Sequence, residues 1–136
     1  ALTSTGNRIV VESGAGDGTN YTDQEYSEAG AKISYTANDV FACSIILKVE
    51  PPSLDEVKMM NPQSVLISAM QIKTQTKEYF KALAEKRITA IAFDYIQDTH
   101  GIYPLVKSLS EIAGTDTVLI AAEIMNNNNL GNVLLL

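Results

Sequence analysis

Three glycines at alternate positions, Gly14, Gly16 and Gly18, follow an apolar run and precede a helix-like segment. In a dinucleotide-binding loop, glycines in the pattern G-x-G-x-x-G let the backbone approach a pyrophosphate at the N-terminus of a helix. Counted from Gly14, the third glycine of that pattern belongs at position 19, where this chain has Thr19. The carboxylate of Asp17 within the loop would also repel a phosphate. The stretch therefore predicts a strand-to-helix connection rather than a nucleotide-binding loop.

Other residue types that could do chemistry are few and scattered. The chain has one cysteine, Cys43, and one histidine, His100, in different kinds of segment, so we interpret the first as a packed small hydrophobe and the second as a solvated loop residue. Asp94 and Asp98 follow an apolar run, where carboxylates either bind a cation or face water. No further ligand accompanies them at metal-binding spacing, and we expect no metal site.

Composition limits the classes of partner. The 136 residues fit one domain with a real core, and the net charge is -6. An acidic chain without a long basic block predicts no nucleic-acid surface and no attraction to anionic membranes. No apolar stretch approaches the roughly 18 residues of a membrane span, so we expect no membrane insertion. A single cysteine cannot form an internal disulfide, which suits the cytoplasm.

Short apolar runs alternate with helical patterns along the chain. Runs rich in β-branched residues predict strands over residues 8–12, 32–35, 44–49, 64–70 and 89–93. Nearly continuous apolar strands that alternate with helices indicate a parallel sheet with helices on both faces, an α/β domain of Rossmann-like (flavodoxin-like) type that lacks the dinucleotide fingerprint. Functional residues of such a sheet are expected at the carboxyl ends of its strands.

Three S/T-x-x-E patterns predict helix starts, because the hydroxyl and the carboxylate of this pattern cap free backbone N–H groups. They begin at Thr22, Ser53 and Ser108. A further helix is predicted over residues 77–86 from its apolar spacing. The helix from Ser108 to about Met125 is apolar nearly all round, so we expect it to be buried on more than one side.

The end of the chain predicts a change of domain. Four consecutive asparagines lead into an apolar run at the C-terminus, a composition typical of a linker followed by a strand. We therefore expect an α/β domain over residues 1–125. Residues 126–136 would form a linker and the start of a further domain.

Several segments resemble a known family. They are VVESGAGDGTNYTDQEYSEAGAKI (10–33), IILKVEPPSLDEVKMMNPQSVLIS (45–68), TAIAFDYIQ (89–97) and SLSEIAG (108–114). In this order they resemble the N-terminal domain shared by alanine dehydrogenases and the alpha subunits of nicotinamide nucleotide transhydrogenases. The resemblance implies that the glycine stretch is a structural turn and that the dinucleotide loop lies in a following domain.

The family resemblance implies an oxidoreductase with a nicotinamide cofactor. This chain would form one wall of a cleft between two domains and would be inactive alone. NAD(H) or NADP(H) would be bound mainly by the following domain. The implied partners are a small-molecule substrate, that NAD-binding domain, and further copies of the protein in a homo-oligomer.

The resemblance also places four residues at the substrate cleft: Lys48, Glu50, Gln71 and Ser110. Aligning residues 48–52 on the family's K-V-K-E-P puts Glu50 at the position of the substrate-binding lysine. Continuing without a gap puts Gln71 at the position of the histidine that works as acid and base, so the catalytic residue is unknown. A carboxylate substrate would be repelled by Glu50, and an amide cannot exchange a proton at neutral pH as imidazole can.

Alternatives stay open for individual residues and for the whole chain. Lys48 either orients an anion or extends its stem along the surface. Ser110 either lies near the substrate and nicotinamide, and so takes part in cofactor binding, or helps to start a helix. The chain could be a transhydrogenase alpha-subunit-like domain, or an assembly domain that has lost alanine dehydrogenase chemistry. Without the resemblance, a phosphoacceptor receiver or a flavodoxin-like carrier would also fit a small acidic α/β domain.

Overall fold

The computed structural model describes residues 2–127. The chain divides into two compact units, of which the first comprises Ala1–Ala92 and the second begins at Phe93. In the first unit, the strands are β1 (Val10–Glu12), β2 (Lys32–Ser34), β3 (Ile45–Leu47), β4 (Val65–Ser68) and β5 (Thr89–Ala92). Its helices are α1 (Asp23–Glu28), α2 (Ala37–Phe41), α3 (Leu54–Met59) and α4 (Lys77–Glu85). The second unit contains α5 (Pro104–Asn127).

All strand pairs in the described part of the chain are parallel. β1 pairs with β2, with Val10 opposite Lys32, and a separate three-stranded sheet has the order β3-β4-β5. In this second sheet Val65 of β4 lies opposite Ile45 on one side and Thr89 on the other. The predicted α/β class with parallel sheets and flanking helices is confirmed, and the strands are divided between two sheets.

The core lies where α2, α3 and α4 pack around β3 and β4. Leu66 of the central strand and Val57 of α3 are fully buried, and burial of a side chain of this size contributes about 1.5–3 kcal/mol. The other buried apolar residues of this cluster are Phe41, Ile46, Met60, Met70, Tyr79 and Leu83. This core holds the carboxyl ends of β3 and β4 at one edge of the sheet.

Two of the three predicted capping boxes are present. The Thr22 hydroxyl accepts from the backbone N–H of Glu25, and the Glu25 carboxylate accepts from the backbone N–H of Thr22. Ser53 and Glu56 make the same reciprocal pair at the start of α3. Each box satisfies N–H groups that the first helical turn leaves without partners, which is why the pattern marks these boundaries reliably.

The third predicted helix start, at Ser108, is wrong. The helix begins at Pro104, whose fixed φ angle and missing N–H suit the first helical position. The Ser108 hydroxyl donates to the carbonyl of Pro104 one turn earlier, at 3.1 Å, and so lies within the helix. Ser110 is also inside α5, and its alternative interpretation as a helix-initiating residue is therefore excluded.

The expected burial of α5 on more than one side is also contradicted. Its large apolar side chains are exposed: Val118 is 69% and Ile112 is 61% accessible to solvent. The predicted linker of residues 126–136 begins within this helix and otherwise lies outside the described residues. The domain boundary after residue 125 stays a prediction.

Candidate functional site at the carboxyl edge

The glycine segment is a chain of hydrogen-bonded turns. The N–H of Ala15 donates to the carbonyl of Glu12, and the N–H of Asp17 donates to that of Gly14, each at 3.1 Å. Two further backbone N–H groups, those of Thr19 and Tyr21, both donate to the carbonyl of Gly16, at 2.9 and 3.1 Å. Because the loop uses these N–H groups internally, it does not offer them to a pyrophosphate.

Asp23 of α1 fastens the start of this segment. Its carboxylate accepts from the Ser13 hydroxyl at 2.6 Å and from the Gly14 N–H at 2.9 Å. These two hydrogen bonds lower the pKa of Asp23. A carboxylate therefore already accepts the hydrogen bond that the Gly14 N–H could have donated to a phosphate. The segment is a structural turn, and it does not fit a dinucleotide.

Two positions of the turn require glycine. Gly14 has a φ of 78°, in the left-handed region that side chains rarely adopt. Gly16 is buried, and a Cβ there would collide with the carbonyl oxygen of Tyr21 and lie 2.8 Å from a ring carbon of Tyr26. By contrast, Gly18 has open space around it.

Lys48 lies directly after β3, and Glu56 neutralises its charge. The Lys48 Nζ donates to both carboxylate oxygens of Glu56, at 2.9 and 2.8 Å, and both side chains are partly buried. Two-point contact between opposite charges that are partly withdrawn from water is stronger than an exposed ion pair. Both earlier interpretations of Lys48 omitted this pairing, since eight residues separate the two side chains.

The Glu56 carboxylate joins two parts of the edge. One oxygen also accepts from the backbone N–H of Ser53 at 2.6 Å, the capping bond of α3. Partial burial would raise the pKa of Glu56, but the hydrogen bonds from Lys48 and Ser53 outweigh it and hold the pKa below its ordinary value. One ionised group thus fixes both the start of α3 and the residue that follows β3.

Tyr79 of α4 lies within electrostatic reach of this pair. The side chain is 2% exposed, and its hydroxyl has no hydrogen-bond partner within residues 2–127. Burial raises the pKa of Tyr79, and the negative charge of Glu56 raises it further. The phenol therefore stays neutral next to the carboxylate.

Glu50 and Gln71 lie just beyond the paired part of β3 and β4. The Lys48 N–H donates to the carbonyl of Ile67, and the Ala69 N–H donates to that of Val49, both at 3.0 Å. The two chain segments therefore run side by side up to these residues. Glu50 and Gln71 follow within two residues, and both are exposed. The structure thus places Lys48, Glu50 and Gln71 at one edge of the sheet.

Gln71 has an unusual backbone conformation. Its φ is 45°, in the left-handed region, and its carbonyl accepts from both the N–H and the hydroxyl of Thr74, each at 2.9 Å. The preceding residue, Met70, is buried in the core. Its sulfur accepts from the Ser68 hydroxyl at 3.3 Å. A buried anchor and a hydrogen-bonded turn therefore hold Gln71 at the surface.

Three of the residues considered in the sequence analysis, Asp98, His100 and Ser110, belong to the second unit. Ser110 is an exposed residue of α5, and its predicted role in the substrate cleft stays a prediction. Asp98 organises its own loop, because one carboxylate oxygen accepts from the N–H groups of His100 and Ile102, at 2.8 and 2.9 Å. The His100 side chain is exposed, as predicted.

Cys43 is partly buried, and its sulfur donates to the carbonyl of Asp39 at 3.6 Å, a local contact typical of a packed thiol. Among the described residues, no group of three or more His, Cys, Asp or Glu side chains could hold a metal ion. Within residues 2–127, no helix is long and apolar enough to cross a membrane.

The fold and the edge define a parallel α/β domain whose glycine turn is structural and whose polar side chains gather at the carboxyl ends of two strands. The family model described as alanine dehydrogenase/PNT, N-terminal domain, matches residues 1–113. The chain belongs to this family. That match agrees with the resemblance carried by the glycine segment and the SEIAG motif.

Individual relatives support the same family. The chain is 31% identical to an alanine dehydrogenase of Bilophila wadsworthia (strain 3_1_6) and 33% identical to one of Methanococcus maripaludis, over its full length in both cases. It spans 36% of the length of each relative. A solved structure of an L-alanine dehydrogenase matches 99% of the chain with a TM-score of 0.89 and 27% identity, and the chain covers 37% of it.

A solved transhydrogenase from Sinorhizobium meliloti is also similar. It matches 73% of the chain with 36% identity and a TM-score of 0.66, and the chain covers 30% of it. The alanine dehydrogenase structure therefore accounts for more of this fold than the transhydrogenase does.

We predict that Gly16→Ala destabilises the first unit, because the new methyl group must displace the backbone at Tyr21. Overpacking of this kind costs about 1–3 kcal/mol. Urea unfolding followed by tyrosine fluorescence measures the loss. Gly18→Ala is the matched control and should leave the midpoint nearly unchanged. Equal midpoints for the two variants would contradict this prediction, because they would show that the turn at Gly16 accommodates a methyl group without loss of stability.

We predict that Glu56→Gln lowers the free energy of unfolding at pH 7 by about 1–3 kcal/mol, because it removes charge-assisted hydrogen bonds. The pKa of Glu56 is lowered in the folded protein. Its stabilisation is therefore fully present above the unfolded pKa of about 4.3 and is lost as the pH falls through the folded pKa. Unfolding curves of the native protein and the variant should converge at acidic pH.

The matched control for this variant is Asp55→Asn. The neighbouring Asp55–Lys58 pair is exposed, with side-chain accessibilities of 81% and 69%, so water screens it. Asp55→Asn should change the stability at pH 7 much less than Glu56→Gln does. A gap between native and Glu56→Gln curves that stays constant with pH would contradict the assigned role of the Glu56 charge.

Proposed function

We propose that this chain is the N-terminal domain of an NAD(P)-linked oxidoreductase, that it forms one wall of the cleft between two domains, and that it is inactive alone. The observation that carries the proposal is the full-length similarity to alanine dehydrogenases of which the chain spans only 36%. A nicotinamide cofactor would supply the hydride chemistry. The glycine turn does not fit its pyrophosphate, so residues outside this chain would bind the dinucleotide.

The proposed contribution of this chain is the substrate side of the cleft. Lys48, Glu50 and Gln71 lie at the carboxyl edge, where ligands of open parallel sheets bind. Ser110 of α5 keeps its proposed role near the substrate and nicotinamide, which rests on the family resemblance alone. The Lys48–Glu56 pair has no net charge to offer a substrate, so the proposed role of Lys48 is to position residues 48–52.

Further parts of the proposal concern partners and location. The exposed apolar side chains of α5 are suited to being covered by additional polypeptide, since burial of apolar area favours association by about 25 cal/mol per Å². A following NAD-binding domain and a homo-oligomer are the proposed sources. The choice between NAD and NADP and the cytoplasmic location stay predictions.

A transhydrogenase-like domain is the weaker candidate. The transhydrogenase structure matches a smaller part of the chain and has a lower TM-score than the alanine dehydrogenase structure. A third hypothesis is that the chain is an assembly domain without catalysis. This hypothesis requires the same fold, but it predicts that the intact protein binds no cofactor. Cofactor binding therefore separates the proposed function from this last candidate.

The proposal predicts that the intact protein binds NAD(H) and that residues 1–136 alone do not. Isothermal titration calorimetry of both proteins with NADH measures this difference. Binding to residues 1–136 with a Kd below about 10 μM, roughly 7 kcal/mol of binding free energy, would contradict the assignment of the cofactor to other residues. Failure of the intact protein to bind NADH and NADPH would favour the assembly domain.

A second prediction concerns proton transfer. Gln71 cannot act as an acid or base, and a positioned group of that kind contributes about 10²- to 10⁴-fold to a rate. The intact protein should therefore oxidise L-alanine slowly, and Gln71→His should raise kcat. Histidine tolerates the left-handed backbone better than most residues do. The pH–rate profile of the variant should acquire a limb near pH 6.5, the ordinary imidazole pKa.

Gln63→His is the matched control for this substitution. Gln63 also has a positive φ, 64°, and is exposed, but it precedes β4 and so lies at the opposite end of that strand. It should change neither kcat nor the pH profile. Efficient oxidation of L-alanine by the native protein would show that another residue transfers the proton.

A further inference from the structure

The charges at the carboxyl edge of β3 and β4 are unequal. The Lys48 ammonium is held by both oxygens of Glu56. Glu50, two residues later, is exposed, and it forms no ion pair within residues 2–127. Gln71, which follows the neighbouring strand, adds a neutral amide. These three residues together with Glu56 carry one net negative charge, and Glu50 is the group that presents it.

A carboxylate ligand has no ready cation among these residues. Glu56 already accepts from the Lys48 ammonium with both carboxylate oxygens and compensates its charge, so a carboxylate ligand would have to compete with Glu56 for this cation and would weaken a partly buried ion pair. Loss of one member of such a pair is unfavourable because the remaining charge stays desolvated. Glu50 would add direct repulsion. An ammonium group meets neither obstacle, since Glu50 can accept its hydrogen bonds directly.

One other cation lies near this edge. Lys73 is exposed in the turn between Gln71 and Thr74, and it forms no ion pair within the described residues. It follows Gln71 by two residues in the chain. If the edge took an anion, Lys73 would be the available charge, so its role must be tested together with that of Glu50.

We infer that Glu50 is a specificity-determining residue, and that the ligand group facing it is a cationic amine. The substrate class is then an amino acid or amine that carries an additional positive charge, in preference to a simple 2-oxo acid. This inference rests on the proposed function, because it treats the carboxyl edge as the substrate wall. It goes beyond that function by assigning the charge of the ligand to a residue of this chain.

The test uses the intact protein saturated with NADH, with L-lysine and pyruvate as probes in isothermal titration calorimetry. The native protein should bind L-lysine more tightly than pyruvate. Glu50→Gln should reduce this preference by about twofold to fivefold, the upper part of the range expected for one exposed charge pair. Glu50→Lys should reverse the preference, and added salt should weaken L-lysine binding to the native protein.

Two control variants separate this role from a change in overall charge. Glu85→Lys makes the same change in charge at the C-terminal end of α4, away from the carboxyl edge, and should leave the preference unchanged. Lys73→Gln should not weaken pyruvate binding. A preference for pyruvate in the native protein, no response to Glu50→Lys, or a loss of pyruvate binding in Lys73→Gln would each overturn the inference.

The failure of this inference is distinguishable from that of the proposed function. A protein that binds NADH but neither probe, or that binds pyruvate more tightly, keeps the oxidoreductase proposal and overturns the assignment of Glu50. A protein that binds neither NADH nor NADPH fails the oxidoreductase proposal itself, and with it the inference.

Discussion

The partly buried carboxylate of Glu56 is the interaction on which the carboxyl edge depends. It compensates the charge of Lys48, caps the first turn of α3 through Ser53, and lies within electrostatic reach of Tyr79. A charge that is withdrawn from water must be compensated, so the positions of these groups are coupled to one another. The Glu56 carboxylate therefore links three elements: the end of β3, the start of α3 and the inner face of α4.

The glycine turn shows how close packing can imitate a binding motif. Glycine is required at Gly14 by its positive φ and at Gly16 by the nearby carbonyl of Tyr21, and neither requirement involves a ligand. Asp23 then occupies the N–H of Gly14 that an anion would use. The same residue type serves a nucleotide in one fold and a tight turn in another, because glycine permits any close approach to the backbone.

The family and the chemistry of the edge need to be considered separately. Similarity over the whole chain defines the fold, whereas activity depends on particular side chains at the site. Here the structure places Glu50 and Gln71 at the carboxyl edge, and the proposed substrate side of the cleft therefore carries a carboxylate and an amide. The family therefore supports the oxidoreductase proposal, whereas the ligand must be inferred from the individual residues of the edge.

The sequence by itself determined the parallel α/β class, the five strands and the helix starts at Thr22 and Ser53. These features follow from local periodicity and from hydrogen bonds between residues three apart. The short helix α2 was missed: its preceding residue, Thr36, makes no side-chain capping bond, and its Phe41 is recognisable as a core residue only in three dimensions. Tertiary structure alone decided that Glu56 neutralises Lys48 and leaves Glu50 exposed. That pairing joins residues eight apart through the geometry of a strand and a helix, and no local pattern encodes it.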